Sequence, residues 1–153
     1  MISVHLDDTV IRAAATLMTR HCTDKAFLAK VSEVKKFNHT NLSSREVADT
    51  LFNAAYSIDI EVRGYRTFNP WSKVIGYAEG KTIYVNLRKL QDLDIYERAN
   101  NFYHEFCHLA GFSHDGNRVT PYNLGSVPYK AGQIFEDYLR ELHASTNTSG
   151  LKS

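Results

Sequence analysis

One run of eleven residues, from His104 to His114, constrains this chain more than any other part of its sequence. It reads His-Glu-Phe-Cys-His-Leu-Ala-Gly-Phe-Ser-His, so two histidines lie four residues apart, a glutamate follows the first, and a third histidine lies six residues beyond the second. Three imidazoles and one carboxylate at this spacing are the side chains of a catalytic zinc site. Such a site needs a helix that presents two side chains to one ion, so the motif also constrains the fold.

The residues around the motif predict that helix. At about 100° per residue, His104 and His108 lie about 40° apart and one turn from each other, so both rings can reach one ion. Asp94 and Glu97 form a capping pattern at the start of the helix. An apolar stripe lies on the side opposite the histidines and is predicted to face the core: Ile95, Ala99, Phe102, Phe106 and Leu109.

The other residues of the motif have specific expected roles. Gly111 is expected to end the helix in the left-handed conformation, which lets the chain bring His114 back to the ion. Asp115 is an alternative third ligand, because a carboxylate also binds zinc. Glu105 points about 80° to one side of the ion, where it is either a general base or an ordinary solvated glutamate. Cys107 is either a small packed residue or a thiolate ligand.

The pattern His-Glu-x-x-His-x-x-Gly-x-x-His resembles the extended zinc motif of the metzincin peptidases, within the broader zincin superfamily. The resemblance implies that His104, His108 and His114 bind Zn²⁺ and that Glu105 is the catalytic base. It also implies a zincin-like α+β fold and hydrolysis of a peptide or protein substrate.

Metzincins carry a downstream turn of the form Ser-[Ile/Val]-Met-x-Tyr. The nearest match here is Ser-Val-Pro-Tyr at 126–129, with proline where methionine is expected. The chain's methionines, Met1 and Met18, lie far upstream. The chain is therefore similar to a minimal zincin that lacks the methionine of this turn. Tyr129 in the displaced turn is the first candidate for a tyrosine that assists catalysis, and Tyr122 is the second.

The resemblance also suggests where a substrate would bind. In zincins the strand before the metal helix borders the active-site cleft, and here that strand is 82–87. An extended peptide could add to its exposed edge through main-chain hydrogen bonds, unless the strand is paired on both sides. Four aromatic residues either line the cleft or pack in the core and at its rim: Tyr65, Phe68, Trp71 and Tyr77.

A second family has a similar segment. The bacterial ribosomal-RNA-maturation endoribonucleases carry a comparable histidine trio, and 108–114 is similar to its second half. They usually have glycine at the position of Glu105, whereas peptide hydrolysis requires a carboxylate there. With 18 Lys and Arg against 17 Asp and Glu, the chain also lacks a basic excess, so no nucleic-acid partner is expected. The alternatives to a zinc metallopeptidase are this endoribonuclease activity and a non-catalytic, zinc-stabilised binding module.

The rest of the sequence predicts one α+β domain over residues 1–145 and a flexible tail over 146–153. Helices come first, followed by a small twisted mixed sheet, the metal-binding helix, a loop over 115–128 and a C-terminal helix. Helices are predicted at 9–20, at 24–36 and, from the capping pair Ser43 and Glu46, up to about residue 55. Strands are predicted at 58–63, 74–77 and 82–87, the last two forming a hairpin.

Composition limits the remaining possibilities. The N-terminus has no basic region and no long apolar core, and no apolar run reaches membrane-spanning length. We therefore expect a cytoplasmic protein without membrane contact, with export by a signal-less route left open. Cys22 and Cys107 are expected to be reduced thiols. Four histidines lack the motif spacing and are expected to be solvated: His5, His21, His39 and His143.

Overall fold

The computed structural model describes residues 2–4, 9–67, 69 and 71–150 of the chain. Helices and strands are mixed along this part, which confirms the predicted α+β class. In chain order the elements are β1 (Ile2–Val4), α1 (Thr9–His21), α2 (Lys25–Ser32), α3 (Ser44–Ser57), β2 (Ile60–Tyr65), β3 (Gly76–Glu79), β4 (Thr82–Asn86), α4 (Leu87–Leu90), α5 (Ile95–Leu109), α6 (Pro121–Leu124) and α7 (Val127–Gly150).

The four strands form one mixed sheet in the order β1-β2-β4-β3. β1, β2 and β4 are parallel, and β3 pairs antiparallel with β4. β4 is therefore paired on both sides, and the prediction that 82–87 forms the exposed edge is wrong. The physical reason lies in burial: Ile83 and Val85 of β4 are completely buried, whereas Tyr77 and Glu79 of β3 are exposed. The edge strand beside α5 is β3.

The predicted hairpin is confirmed, although its first strand begins two residues later than expected, at Gly76. A two-residue connection joins β3 to β4, and Gly80 there has φ 63°, a conformation that glycine adopts at little cost. The parallel strand β1, which precedes the helices, was not predicted, because three residues are too few for a periodic pattern.

Both predicted capping boxes are confirmed. The backbone N–H of Ser43 donates to Glu46 (2.7 Å) at the start of α3, and that of Asp94 donates to Glu97 (2.8 Å) at the start of α5. The predicted helix 24–36 ends earlier, at Ser32. The predicted loop 115–128 contains the short helix α6, whose first residue is a proline after a threonine cap.

Helix α7 begins at Val127, so Tyr129 lies in its first turn. The helix extends through Gly150, further than the predicted start of the tail at 146, and residues 151–153 lie outside those described. Within the described ranges, every helix is too short or too polar to cross a membrane. Cys22 and Cys107 are both free thiols, as predicted.

Helix α5 lies at the centre of the fold. It packs most extensively against α7, and also against α1, β3 and β4. Ala99 and Phe102 of the predicted stripe are completely buried, and Tyr103 beside them is buried as well. The ring of Tyr103 stacks on Phe135 of α7 at 4.7 Å and meets Phe27 of α2 edge-on at 5.2 Å. These contacts hold α5 in place, and with it the histidines that it carries.

Candidate metal centre

The three histidines of the motif converge at the C-terminal end of α5. The rings of His104 and His108 lie one turn apart, with centroids separated by 5.0 Å. The chain reverses at Gly111, which has φ 101°, and this brings the ring of His114 to 5.1 and 4.8 Å from the other two. One ligand nitrogen from each ring lies within 4.8 Å of the others. The group can therefore hold a metal ion.

Hydrogen bonds to the backbone fix which ring nitrogens face the site. Nδ1 of His108 donates to the carbonyl of Phe112 (2.8 Å), and Nδ1 of His114 donates to the carbonyl of Gly116 (2.9 Å). A carbonyl only accepts, so these nitrogens carry the proton and each Nε2 is left with a free lone pair. Nε2 of His114 lies 3.1 Å from Nε2 of His104. Two ligands of a tetrahedral zinc ion are about 3.3 Å apart, so this spacing fits such an ion.

The environment keeps all three imidazoles neutral. Burial, reinforced by the two neighbouring rings, lowers the pKa of His104 to about 3. Burial also lowers the pKa of His108 and of His114, and in each case the backbone hydrogen bond opposes part of the shift. At neutral pH protons therefore do not compete with a metal ion for these nitrogens.

Glu105 is buried beside the histidines, with 5% of its surface exposed. Burial raises the pKa of its carboxyl to about 7. The alternative of an ordinary solvated glutamate is therefore wrong. The local pattern could not show this burial, because it comes from β3, which crosses over α5 at Gly76.

Gly76 allows this close approach of strand and helix. A Cβ at this position would lie 2.9 Å from the carbonyl oxygen of Tyr84 and 3.1 Å from Oδ1 of Asn101, both tighter than ordinary contact. The same Cβ would lie 3.6 Å from Cγ of Glu105. Sequence reasoning missed this role, although a glycine inside a strand is a known sign of close backbone approach.

Of the two candidate tyrosines, the structure brings Tyr129 to the site. Its half-buried ring lies 4.5 Å from that of His104 and 4.7 Å from that of His114. Burial raises its pKa, and the nearby charge of Glu105 adds to the effect. Tyr122 is 58% exposed and packs on His39 instead, outside the cleft.

The histidines open into a cleft of about 870 Å³. Residues 73–78, which include the first part of β3, form one wall, and α5 forms the floor. Of the four candidate aromatic residues, Tyr77 lines the cleft, and the ring of Tyr65 packs on it at 5.7 Å. Trp71 is 87% exposed and does not line the cleft, and Phe68 lies outside the described residues.

Charged groups in the cleft are mainly acidic. Among the described lining residues, Lys73 is the one lysine or arginine, whereas three carboxylates belong to Glu97, Glu105 and Glu136. Glu136 is paired with Arg140 at 2.8 Å, on the side towards the start of α5. The described residues of the cleft thus do not form a cationic surface.

The remaining candidates lie outside the histidine group. The side chain of Asp115 is exposed and does not join the three imidazoles. Cys107 is completely buried on the core side of α5, the position of a packed residue. Of the histidines expected to be solvated, His143 is exposed, but His21 bonds Asp24 at 2.7 Å, and His5 lies outside the described residues.

Comparisons of the chain with models of protein families, with curated proteins and with solved structures find no match. The likeness to the zincins is thus a likeness of the motif residues alone. A functional proposal for this chain depends on the chemistry and geometry of the site.

Proposed function

We propose that this chain is a zinc-dependent peptidase of a minimal zincin type. His104, His108 and His114 bind the ion, and Glu105 is the general base. The observation that carries the proposal is the buried carboxyl of Glu105 beside three convergent, neutral imidazoles at the floor of an open cleft. A site that only stabilises the fold needs a fourth protein ligand and no open cleft, whereas a catalytic site keeps one position free.

The donor set favours zinc among the common metals. Three imidazole nitrogens suit Zn²⁺, whereas Mg²⁺ and Ca²⁺ prefer oxygen ligands. When bound, zinc supplies a Lewis acid that polarises a carbonyl and lowers the pKa of water to about 7. The hydrogen bonds from His108 and His114 to backbone carbonyls keep two of the rings in the orientation that this binding requires.

Glu105 performs the proton transfers in this proposal. A neighbouring dication favours its ionised form, which opposes the effect of burial on its pKa. The carboxylate accepts a proton from the water that attacks the substrate carbonyl and then delivers it to the leaving amine. Tyr129, which lies against His104 and His114, donates a hydrogen bond to the oxygen on which negative charge develops.

The edge of β3 supports a peptide as the substrate. The backbone N–H of Asn86 donates to the carbonyl of Ile75 at 2.8 Å, so these two residues form a hydrogen-bonded pair of the antiparallel ladder. Such pairs alternate along the ladder, and Gly76 and Ala78 therefore direct their N–H and C=O groups away from β4. An extended peptide in the cleft can bond to these groups as an added strand.

The charges of the cleft favour a peptide over RNA. A polyanion would meet one lysine and three carboxylates among the described lining residues, and the whole chain carries a net charge of only +1. Proteins that bind RNA usually present a basic surface to its phosphates. This observation, together with the carboxylate at Glu105, separates the proposal from the endoribonuclease alternative.

The test is a digest of an unstructured protein and of a peptide library by the zinc-loaded chain. We expect cleavage that a chelator stops and that added zinc restores. The Glu105→Gln variant is the matched control, because it should retain zinc but lose cleavage by about 10²- to 10⁴-fold. Full turnover by Glu105→Gln would contradict the proposal, as would chelator-sensitive degradation of RNA without cleavage of any peptide.

A further inference from the structure

We propose that Asn123 positions the third histidine of the metal site and that His39 in turn holds Asn123. Neither residue belongs to the metal-binding group. This inference rests on the proposed metal site and assigns part of its affinity to residues of α6 and of the segment between α2 and α3.

Asn123 is a buried amide, 3% exposed, that bonds to the segment directly after His114. Its Nδ2 donates to the carbonyls of Asp115 (2.7 Å) and Arg118 (2.9 Å). Its Oδ1 accepts from the backbone N–H of Asp115 (3.2 Å). Because the two carbonyls can only accept, the amide has one possible orientation. The side chain of Asn123 therefore links the two ends of the segment 115–118 through hydrogen bonds.

His39 forms the second hydrogen bond to the amide oxygen of Asn123, which can accept two. Its Nε2 lies 2.9 Å from Oδ1 of Asn123 and carries the proton, since the amide oxygen only accepts. His39 was expected to be solvated, and this bond corrects that expectation. The sequence gives no signal for the contact, because the two residues are 84 positions apart.

The backbone at His39 indicates that this contact is enforced by its surroundings. His39 has φ 62°, a left-handed conformation that is unfavourable for a residue with a side chain. Its neighbour Asn38 is fixed on both sides: the backbone N–H donates to the carbonyl of Gly125 (2.8 Å), and Nδ2 donates to that of Tyr122 (3.0 Å). The segment therefore presents the ring of His39 to Asn123 in one position.

Apart from the ring of Tyr129, which lies 4.7 Å from that of His114, the third ligand is supported mainly by the segment that follows it. The side chains at 115–118 are exposed, so the segment makes few packing contacts that could hold it in place. Nδ1 of His114 bonds to the carbonyl of Gly116, which belongs to the same segment. His104 and His108, by contrast, are fixed on α5. Loss of the Asn123 amide should therefore release His114 and leave a site with two fixed histidines.

The experiment compares zinc affinity and the visible spectrum of the Co²⁺-loaded protein for wild type, Asn123→Ala, His39→Ala and the exposed control Asn53→Ala. We expect Asn123→Ala to bind zinc about 10- to 100-fold more weakly, with a changed Co²⁺ spectrum, as for other residues that orient metal ligands. His39→Ala should show a smaller loss than Asn123→Ala, because the bonds from Asn123 to the segment remain. Asn53→Ala should match wild type.

The outcomes separate this inference from the proposed function. If the wild type binds no zinc, the metal site itself is refuted. If the wild type binds zinc, and Asn123→Ala loses stability but keeps wild-type affinity and spectrum, Asn123 is only a structural residue and the inference fails. Should Asn123→Ala not fold, His39→Ala decides the question, and an unchanged affinity and spectrum in that variant overturn the inference.

Discussion

Replacing Glu105 with glutamine should stabilise the metal-free protein above pH 7. Burial raises the pKa of Glu105 from 4.5 to about 7, whereas the group ionises at its ordinary value in the unfolded chain. Between these two pH values the carboxyl of Glu105 is ionised in the unfolded chain but still protonated in the folded protein. The contribution of Glu105 to the free energy of unfolding therefore falls as the pH rises through this range. The shift of the Glu105 pKa from 4.5 to about 7 corresponds to about 3 kcal/mol in the free energy of unfolding.

Glutamine does not ionise, so the Glu105→Gln variant should not show this loss of stability. We expect the variant and the wild type to be similarly stable at pH 4.5, and the variant to be more stable by up to about 3 kcal/mol at pH 8. Urea unfolding in the presence of a chelator, repeated between pH 4.5 and 8, measures the difference. Zinc should reduce the advantage of the variant, because a nearby dication favours the ionised carboxylate.

Glu79→Gln is the matched control, because Glu79 is an exposed glutamate on the neighbouring strand β3. Its substitution should change the free energy of unfolding by less than about 0.5 kcal/mol at every pH. A stability difference between Glu105→Gln and wild type that does not depend on pH would contradict the raised pKa of Glu105. It would mean that the carboxylate of Glu105 is well solvated and that its environment does not prepare it for proton transfer.

Three further substitutions test a metal ligand, the tyrosine beside the site and the close approach of β3 to α5. His108→Ala should abolish both zinc binding and turnover, and a zinc titration that still shows one tight site would contradict the ligand assignment. Tyr129→Phe should lower kcat by about 10²-fold with zinc affinity unchanged, and a variant with normal kcat would make Tyr129 a packing residue only. Gly76→Ala should lower the free energy of unfolding by about 1 to 3 kcal/mol, since its Cβ would crowd Tyr84 and Asn101. Urea unfolding measures that loss, and wild-type stability would show that β3 can move away from α5.

Features encoded by a few neighbouring residues could be predicted from the sequence. The capping boxes that begin α3 and α5 depend on pairs three residues apart, and both are present. The positive φ of Gly111 could also be predicted, because glycine commonly adopts this conformation just after a helix ends. The convergence of the three histidines follows from helical geometry and this one reversal, so the group in the structure is the one that the spacing predicts.

Features that depend on distant parts of the chain could not be predicted. Which strand lies at the edge of the sheet depends on pairing between β2 and β4, and nothing within 82–87 determines that partner. The burial of Glu105 depends on the passage of β3 over α5 at Gly76. The contact between His39 and Asn123 joins the segment between α2 and α3 to α6 and leaves no periodic signal. In each case the deciding neighbour is remote in sequence.

The proposed function requires that three imidazoles bind one zinc ion and leave one coordination position free for water or substrate. X-ray absorption spectroscopy of the zinc-loaded protein measures the number, type and distance of the ligands of the ion. We expect one zinc per chain with three imidazole nitrogens at about 2.0 to 2.1 Å and one oxygen ligand at about 2.0 to 2.2 Å. A sulfur ligand at about 2.3 Å, which would implicate Cys22 or Cys107, or zinc bound in less than stoichiometric amount, would contradict this expectation.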